Sequence, residues 1–394
     1  MVQRIITIFT STRAEFGILK PLIRAIDNDP LLTMKLVVGG THLSTQHGYT
    51  KNEIIAEGFA IDAEIDFIVE QDGETLLPDT LAKSIALSSH YLQTSPSDIA
   101  VILGDRFEAL GFGLACYTNG IPIAHIHGGE LTIGALDDAF RHSLTKLSSL
   151  HFAASERYRE RIIQLGEQPS SVFNTGPLCA DNMVNSISHT KESLLAHYDI
   201  KTNLKHVGFL SIHPETTLSS DENRALVQTT LSALDYFKDV FLFVSAANND
   251  PDGGMINELL NAYKRVNHER VFLQSSFGQV MFYNCLWNAN FIIGNSSSAI
   301  IEAPILQVPS INIGKRQDGR FFAETVCTVA PSIKEIKNAI SDILQNATSR
   351  PSGMMLKEKA RMMMNEKVSA AEMIVSALKT YRLEVSKTFY DFEV

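Results

Sequence analysis

What most restricts the fold of this chain is an alternation. Short apolar runs of strand length recur along it, each followed by a polar or glycine-containing break and then by a stretch of helical periodicity. In the first half the runs are residues 4–10, 35–38, 99–103, 123–126, 151–154 and 172–174; in the second the rhythm restarts at 206–212 and continues at 240–245, 270–273, 291–294 and 310–313. Such alternation specifies βαβ units and mostly parallel sheets. At 394 residues with 45% hydrophobic composition the chain is long enough for two such cores. A more polar stretch from about Leu178 to Lys205, with a helical piece near Lys191 to Tyr198, separates the halves. The expectation is α/β, with two Rossmann-like domains facing a central cleft. A Met-rich segment of helical period, Lys357 to Tyr381, closes the chain and reads as packing.

In open α/β sheets, ligands bind beyond the carboxyl ends of the strands, and there this chain concentrates its chemistry. The strand at 99–103 empties into Gly104-Asp105-Arg106. The strand at 123–126 empties into His127-Gly128-Gly129-Glu130, and the run Asp137-Asp138-Ala139-Phe140-Arg141-His142 follows. Ionisable groups gathered at one place are costly unless they pair, so the grouping points to an active site. Asp105, His125, His127, Glu130, Asp137, Asp138 and His142 are metal-ligand types, but their spacing matches no H-E-x-x-H-like signature, and no metal is expected. Carboxylates held together beside Arg106 and Arg141 would have their pKa values pushed apart, which suits one base and one acid.

Two further strand ends are suited to anions. The first strand leads into Thr10-Ser11-Thr12-Arg13-Ala14-Glu15-Phe16-Gly17 and a helix expected to break early at Pro21. This is neither a G-x-G-x-x-G turn nor a G-x-x-x-x-G-K-[ST] loop, so no nicotinamide or flavin cofactor is expected. It reads either as an anion-friendly helix start or as an ordinary capped helix with Arg13 on a surface carboxylate. The strand at 291–294 runs into Asn295-Ser296-Ser297-Ser298 and a helix carrying Glu302, while Gly314-Lys315-Arg316-Gln317 supplies cations. Backbone N–H groups and serine hydroxyls at a helix start hold a diphosphate, and a carboxylate further on holds ribose hydroxyls. His213, after the strand at 206–212, and the turn-rich loop Asn248 to Gly254 lie at equivalent strand ends.

A net charge of −10 argues against nonspecific binding to nucleic acid or anionic membranes. The four cysteines lie far apart with no CxxC, no secretory leader is read before the first strand, and no apolar run approaches the roughly 18 residues of a membrane span. The expected compartment is the cytoplasm.

The runs GDRFEAL, HIHGGELTIGALDDAFRHSLTKLS, GNSSSAIIEAP and INIGKRQDGR, in this order and spacing, closely resemble the hydrolysing UDP-N-acetylglucosamine 2-epimerases of sialic-acid and legionaminic-acid biosynthesis. The resemblance runs from Thr12-Arg13 to Arg320. It implies a GT-B fold with domains at 1–180 (sugar chemistry) and 181–365 (uridine diphosphate), and a terminal helix, 366–394, returning to the first domain. It also implies catalysis without a metal or cofactor, and a homodimer or homotetramer.

The implied reaction removes the proton at C2 of the sugar while UDP leaves C1, then hydrates the resulting 2-acetamidoglycal to give free N-acetylmannosamine. Asp105, Glu130 and Asp137 match positions in motifs that carry or surround the family's acid/base groups, and Arg141 and His142 match the adjoining Arg-His pair. By the same implication His213, Asn248, Ser275, Ser296, Ser297, Glu302 and Arg316 hold the nucleotide, with Arg13 and Arg106 reaching the diphosphate; His213 is also a candidate acid. Many relatives have glutamate where this chain has His127, so either His127 or Glu130 does that work. A lysine of relatives is Ile18 here, with Lys20 nearby. The alternatives are UDP-N,N'-diacetylbacillosamine as substrate, a GT-B glycosyltransferase, which needs an acceptor and leaves the C2 proton in place, and a UDP-sugar sensor without turnover.

Overall fold

The computed structural model describes residues 3–45, 48–71, 74–132, 136–215, 217–247, 252–318, 323–346, 369–382 and 387–391. The chain divides into two units, Met1–Asn182 together with Val368–Val394, and Met183–Lys367.

The first unit runs β1 (Arg4–Thr10), α1 (Arg13–Asp27), β2 (Leu32–Gly39), α2 (Lys51–Ala56), β3 (Ala63–Ile65), a hairpin of β4 (Glu70–Gln71) and β5 (Glu74–Thr75), α3 (Leu77–Thr94), β6 (Ile99–Leu103), α4 (Phe107–Thr118), β7 (Ile123–Ile126), α5 (Leu136–Leu147), β8 (Leu150–Ala153), α6 (Glu156–Gln164) and β9 (Val172–Asn174). Its parallel sheet has the order β3-β2-β1-β6-β7-β8-β9. Central strands such as β6, Ile-Ala-Val-Ile-Leu, are buried throughout, as strands covered on both faces must be.

After α7 (Cys179–Ser186) the second unit continues with α8 (Lys191–His197), β10 (His206–Ser211), α9 (Ser220–Leu234), β11 (Val240–Ser245), α10 (Gly253–Val266), β12 (Val271–Gln274), α11 (Gly278–Asn288), β13 (Phe291–Gly294), α12 (Glu302–Ile305), β14 (Ser310–Ile313), β15 (Val326–Val329) and α13 (Ile333–Gln345). The sheet order is β12-β11-β10-β13-β14-β15, again parallel. The last helix, α14 (Ala370–Thr380), belongs to the first unit. Its Ile374 and Leu378 are buried in one cluster with Leu19, Leu22, Ile23 and Ile26 of α1, and the Asp181 carboxylate accepts from the Ala371 N–H at 2.8 Å.

Several sequence expectations are corrected. Pro21 does not break α1, which is continuous through Asp27. A proline removes the N–H that the carbonyl four residues earlier requires, and here that carbonyl, of Gly17, is satisfied instead by the Asn182 side-chain amide. Strands β3 and β15 were not anticipated; β15 is an edge strand whose middle residues, Cys327 and Thr328, are exposed, so its pattern carries little hydrophobic signal. The second strand starts earlier, at Leu32, because Leu32 to Met34 pair with Arg4 to Ile6 of β1. Of the terminal segment read as helical from Lys357, only Ala370–Thr380 lies in a described helix; residues 357–368 lie outside the described residues. Among the described residues, no helix is long and apolar enough to cross a membrane.

Each sheet changes winding direction once. β1 lies between β2 and β6, and β10 lies between β11 and β13. At such a switch point neighbouring connections leave in opposite directions and open a crevice beyond the strand ends.

Candidate active site

In the first unit, β6 delivers Asp105 through Gly104, whose left-handed backbone (φ +81°) turns the chain out of the sheet. The turn is held by His125 of β7, which is fully buried. Its Nε2–H donates to the Gly104 carbonyl at 2.7 Å, and its Nδ1 accepts from the Thr145 hydroxyl at 3.1 Å. A carbonyl only accepts, so the ring proton sits on Nε2. Burial holds the His125 pKa down at about 3, which makes this imidazole a neutral fixed strut rather than a proton carrier.

Arg141, buried on α5, is the centre of the charged cluster. Its Nη2 donates to Asp105 Oδ2 and to Thr132 Oγ1 (2.9 Å), and its Nη1 to Asp138 Oδ1 at 3.4 Å. Asp138 Oδ1 also accepts the Thr132 N–H at 2.6 Å, and Asp138 Oδ2 stands 3.6 Å from His142 Nε2. Burial raises the Asp105 pKa above the ordinary carboxylate value; Arg141 opposes the rise and Asp137 adds to it. Burial lowers that of His142. One guanidinium thus pairs with two carboxylates, Asp105 and Asp138, while burial works against the ionised form of Asp105, an arrangement suited to moving protons.

His127 has a left-handed backbone (φ +64°), uncommon for a residue with a side chain. The Leu178 N–H donates to its Nε2 at 3.2 Å, which leaves the ring proton on Nδ1, 3.5 Å from Glu130 Oε1. The two residues between which the sequence left a choice therefore stand side by side. Arg106 grips buried Glu108 through two hydrogen bonds of 2.8 and 3.1 Å.

At the end of β1 the geometry is that of the capped helix. Glu15 Oε2 accepts from the Ser11 N–H (2.7 Å), the Ser11 hydroxyl (2.8 Å) and the Thr12 N–H (3.1 Å). The chain's own carboxylate thereby occupies donors that an anion would use, and burial lifts its pKa to about 7. Arg13 lies on the exposed surface, 3.0 Å from Glu53.

The second unit has a cavity of about 390 Å³ at the ends of β10, β11, β12 and β13. Its polar wall is built from Ser211, His213, Ser245, Ser275, Ser276, Ser296, Ser298 and Glu302, with Phe277, Phe282 and Tyr283 as aromatic surface. The sequence reading named Ser297 but missed Ser298: Ser296 caps a three-residue 3-10 turn, Ser297–Ala299, by accepting the Ser298 N–H. The helix expected after this turn is only the four residues of α12, so hydroxyls and single N–H groups, rather than a long helix dipole, dominate this corner. Burial raises the Glu302 pKa and the Ser298 hydroxyl opposes the rise. Arg316 Nη1 donates to the Asn295 carbonyl at 3.2 Å. Buried Glu215 ties the His213 loop to the β14 end by accepting the Lys315 N–H at 3.1 Å. Asn248 lies outside the described residues.

Asp105, His127, Glu130, Asp137, Arg141 and His142 thus belong to the first unit, while His213, Ser275, Ser296 and Glu302 line the cavity of the second, with Arg316 bonded to the Asn295 carbonyl beside Ser296. His125 and Thr132 were not singled out as supports by the sequence, since a buried strand histidine and a loop threonine carry no pattern of their own.

The family model described as UDP-N-acetylglucosamine 2-epimerase matches residues 24–379. A GDP/UDP-N,N'-diacetylbacillosamine 2-epimerase (hydrolyzing) of Campylobacter jejuni subsp. jejuni is 36% identical over 83% of this chain and 84% of its own. The polysialic acid biosynthesis protein P7 of Escherichia coli is 33% identical over 84% and 83% respectively. The solved structure of the UDP-GlcNAc 2-epimerase from Neisseria meningitidis bound to UDP-GlcNAc is similar with a TM-score of 0.73 at 16% identity, over 95% of this chain and 99% of that one. The fold class is accordingly GT-B, two Rossmann-like units in one chain.

Proposed function

The chain belongs to the UDP-N-acetylglucosamine 2-epimerase family, and on that footing we propose that it converts UDP-N-acetylglucosamine and water to N-acetylmannosamine and UDP. The observation that carries this reading is the Arg141 cluster, in which a buried guanidinium holds Asp105 and Asp138 at the strand ends of the first unit and burial raises the Asp105 pKa. Proton abstraction next to an acetal carbon needs a positioned base, an opposed acid and stabilisation of the departing diphosphate.

In this reading one carboxylate of the Asp105/Asp137 set takes the C2 proton. The C–H electron pair forms the C1–C2 double bond and the C1–O bond to UDP breaks. The π pair of the double bond then takes a proton from the His127–Glu130 pair on the opposite face of C2 while water bonds to C1 through its oxygen, and the proton that water loses passes back to that pair. Arg141 fixes the carboxylates and balances their charge, with His142 standing beside Asp138. The second unit holds the nucleotide: Ser275, Ser296 and Arg316 with His213 on the diphosphate, and Glu302 on the ribose hydroxyls. Ser297, Arg13, Arg106 and Asn248 remain proposed ligands, the two arginines after leaving Glu53 and Glu108. We further assign the enzyme to the cytoplasm as a homodimer or homotetramer, which light scattering of the purified protein tests.

A second reading has a specific support: the Campylobacter relative's name gives diacetylbacillosamine as its sugar. That substrate differs at sugar C4 and C6, away from the reacting carbons, and belongs to the legionaminic-acid route. The deciding experiment incubates the protein with each UDP-sugar in heavy water and follows the sugar by NMR. A free manno sugar carrying deuterium at C2 is expected, and the substrate with the higher kcat/KM names the pathway. UDP release without deuterium at C2 would instead indicate simple hydrolysis or transfer and would sink the epimerase reading.

A further inference from the structure

At the switch point of the second sheet, β10 and β13 stop pairing at Ser211 and Gly294. Beyond this last rung, the next residue of β13's strand end, Asn295, is fully buried and continues the ladder with its side chain. Its Oδ1 accepts the His213 N–H at 2.7 Å, and its Nδ2 donates to the His213 carbonyl at 2.8 Å. Its own N–H donates to the Ser211 carbonyl at 3.2 Å. Gly294 makes this approach possible: at φ +137° any Cβ would collide with the Ser211 carbonyl.

The main-chain carbonyl of the same residue gathers the other side of the site. It accepts from Gln317 Nε2 at 2.8 Å and from Arg316 Nη1 at 3.2 Å. One residue therefore joins three elements: the His213 loop after β10, the serine turn after β13 and the basic loop after β14. An amide is the side chain that suits this place. It offers one acceptor and one donor in fixed order, matched to the acceptor and donor of a single backbone residue. A flipped amide would set like groups against each other at both contacts. Buried polar groups satisfied in this way specify one geometry, because any alternative strands a donor or acceptor without a partner.

We propose that Asn295 is the positioning residue of the diphosphate site: it sets the backbone from which the His213 imidazole projects and the plane of the Arg316 guanidinium. The proposal rests on the reading that His213 and Arg316 hold the diphosphate. Asn295 itself touches no ligand in this scheme; it acts through its neighbours.

The test is calorimetric, on the full-length protein, with UDP and with uridine as probes. Uridine lacks the groups that His213 and Arg316 would meet. Asn295→Asp keeps the size of the side chain but turns a donor into an acceptor facing the His213 carbonyl. It is expected to weaken UDP by about 10-fold or more while uridine changes by less than about 2-fold, since a misplaced charged donor loses about that much. Combined with His213→Ala, its effect on UDP is expected to fall well short of additive. Equal weakening of UDP and uridine, or full additivity, would mean a purely structural role and overturn the proposal. Should Asn295→Asp not fold, Asn295→Ser, which removes the amide without adding charge, is read on the same UDP-to-uridine ratio. If His213→Ala and Arg316→Ala both leave UDP binding intact, the diphosphate assignment itself fails, an outcome distinct from a silent Asn295.

Discussion

The strand ends of the two units solve different problems with different chemistry. In the first unit the groups are ionisable and close: half-buried Asp105 and Asp138 share the buried Arg141 guanidinium, and burial shifts the titration of Asp105 and His142 in opposite directions. In the second unit the cavity is lined by six serines together with His213, Glu302 and the aromatic rings of Phe277, Phe282 and Tyr283. A network around a buried charge such as Arg141 has steep energetics, since removing a partner leaves that charge unpaired, whereas hydroxyl donors contribute in small independent steps. The first pattern fits a place where protons change hands. The second fits a place where a charged ligand is held and released without any group of the protein changing its charge.

The comparison breaks most readily at Asp105. Asp105→Asn keeps the hydrogen bond geometry available to Arg141 but removes the negative charge and the proton-accepting capacity. Turnover of the UDP-sugar is expected to fall by about 10²- to 10⁴-fold, with UDP affinity changed by less than about 3-fold. A variant with normal turnover would remove Asp105 from the chemistry and with it the contrast between the units. Equal losses in turnover and UDP affinity would show that the first unit's network also holds the nucleotide.

The second unit predicts the opposite split on a smaller scale. Ser296→Ala removes one hydroxyl that caps the 3-10 turn and faces the cavity. The expected result is a KM raised by about 3- to 10-fold at nearly constant kcat, the size of one hydrogen bond. A fall in kcat with unchanged KM would place Ser296 in the chemical step and blur the division of labour. Steady-state kinetics on the two variants side by side sharpens the comparison, because each serves as the control for the other.

The broad architecture was legible because parallel α/β sheets write themselves plainly: strands buried on both faces are apolar throughout, and their carboxyl ends carry the glycines and charges. What failed to show was what depends on tertiary partners. Pro21 reads as a helix breaker, and only the Asn182 amide on the Gly17 carbonyl explains why α1 continues. The segment after β1 read either as an anion corner or as an ordinary capped helix, and the Thr12–Glu15 capping box, with Glu15 folded onto the Ser11 and Thr12 N–H groups, gives the cap. Short edge strands such as β15 bury too little to leave a pattern. Among site residues, the glycine-flanked acids and the serine run stood out, since their composition is unusual in its setting. Ser298 against Ser297 did not, because a 3-10 turn, unlike an α-helix, alters which of three consecutive serines faces the cavity.

The smallest predicted effect concerns pH and tests the charged network from within. A carboxylate acting as base is active when ionised, so kcat falls as pH drops through its pKa. Burial raises the Asp105 pKa, which places the acidic limb above the ordinary carboxylate value of about 3.9. Of the neighbouring charges, Arg141 and Arg106 pull that pKa down and Asp137 pushes it up. Replacing Asp137 by Asn removes a like charge, makes the ionised form of Asp105 easier to reach, and is expected to move the limb to lower pH by less than about one unit. The measurement is the pH profile of the turnover that the variant retains. Glu302, also raised by burial, stands in the second unit, where no group needs to change charge during the reaction, so Glu302→Gln is expected to leave the position of the limb unchanged while raising KM. A limb that follows Glu302 and ignores Asp137 would assign the titrating base to the second unit and reverse the roles argued for the two sheets.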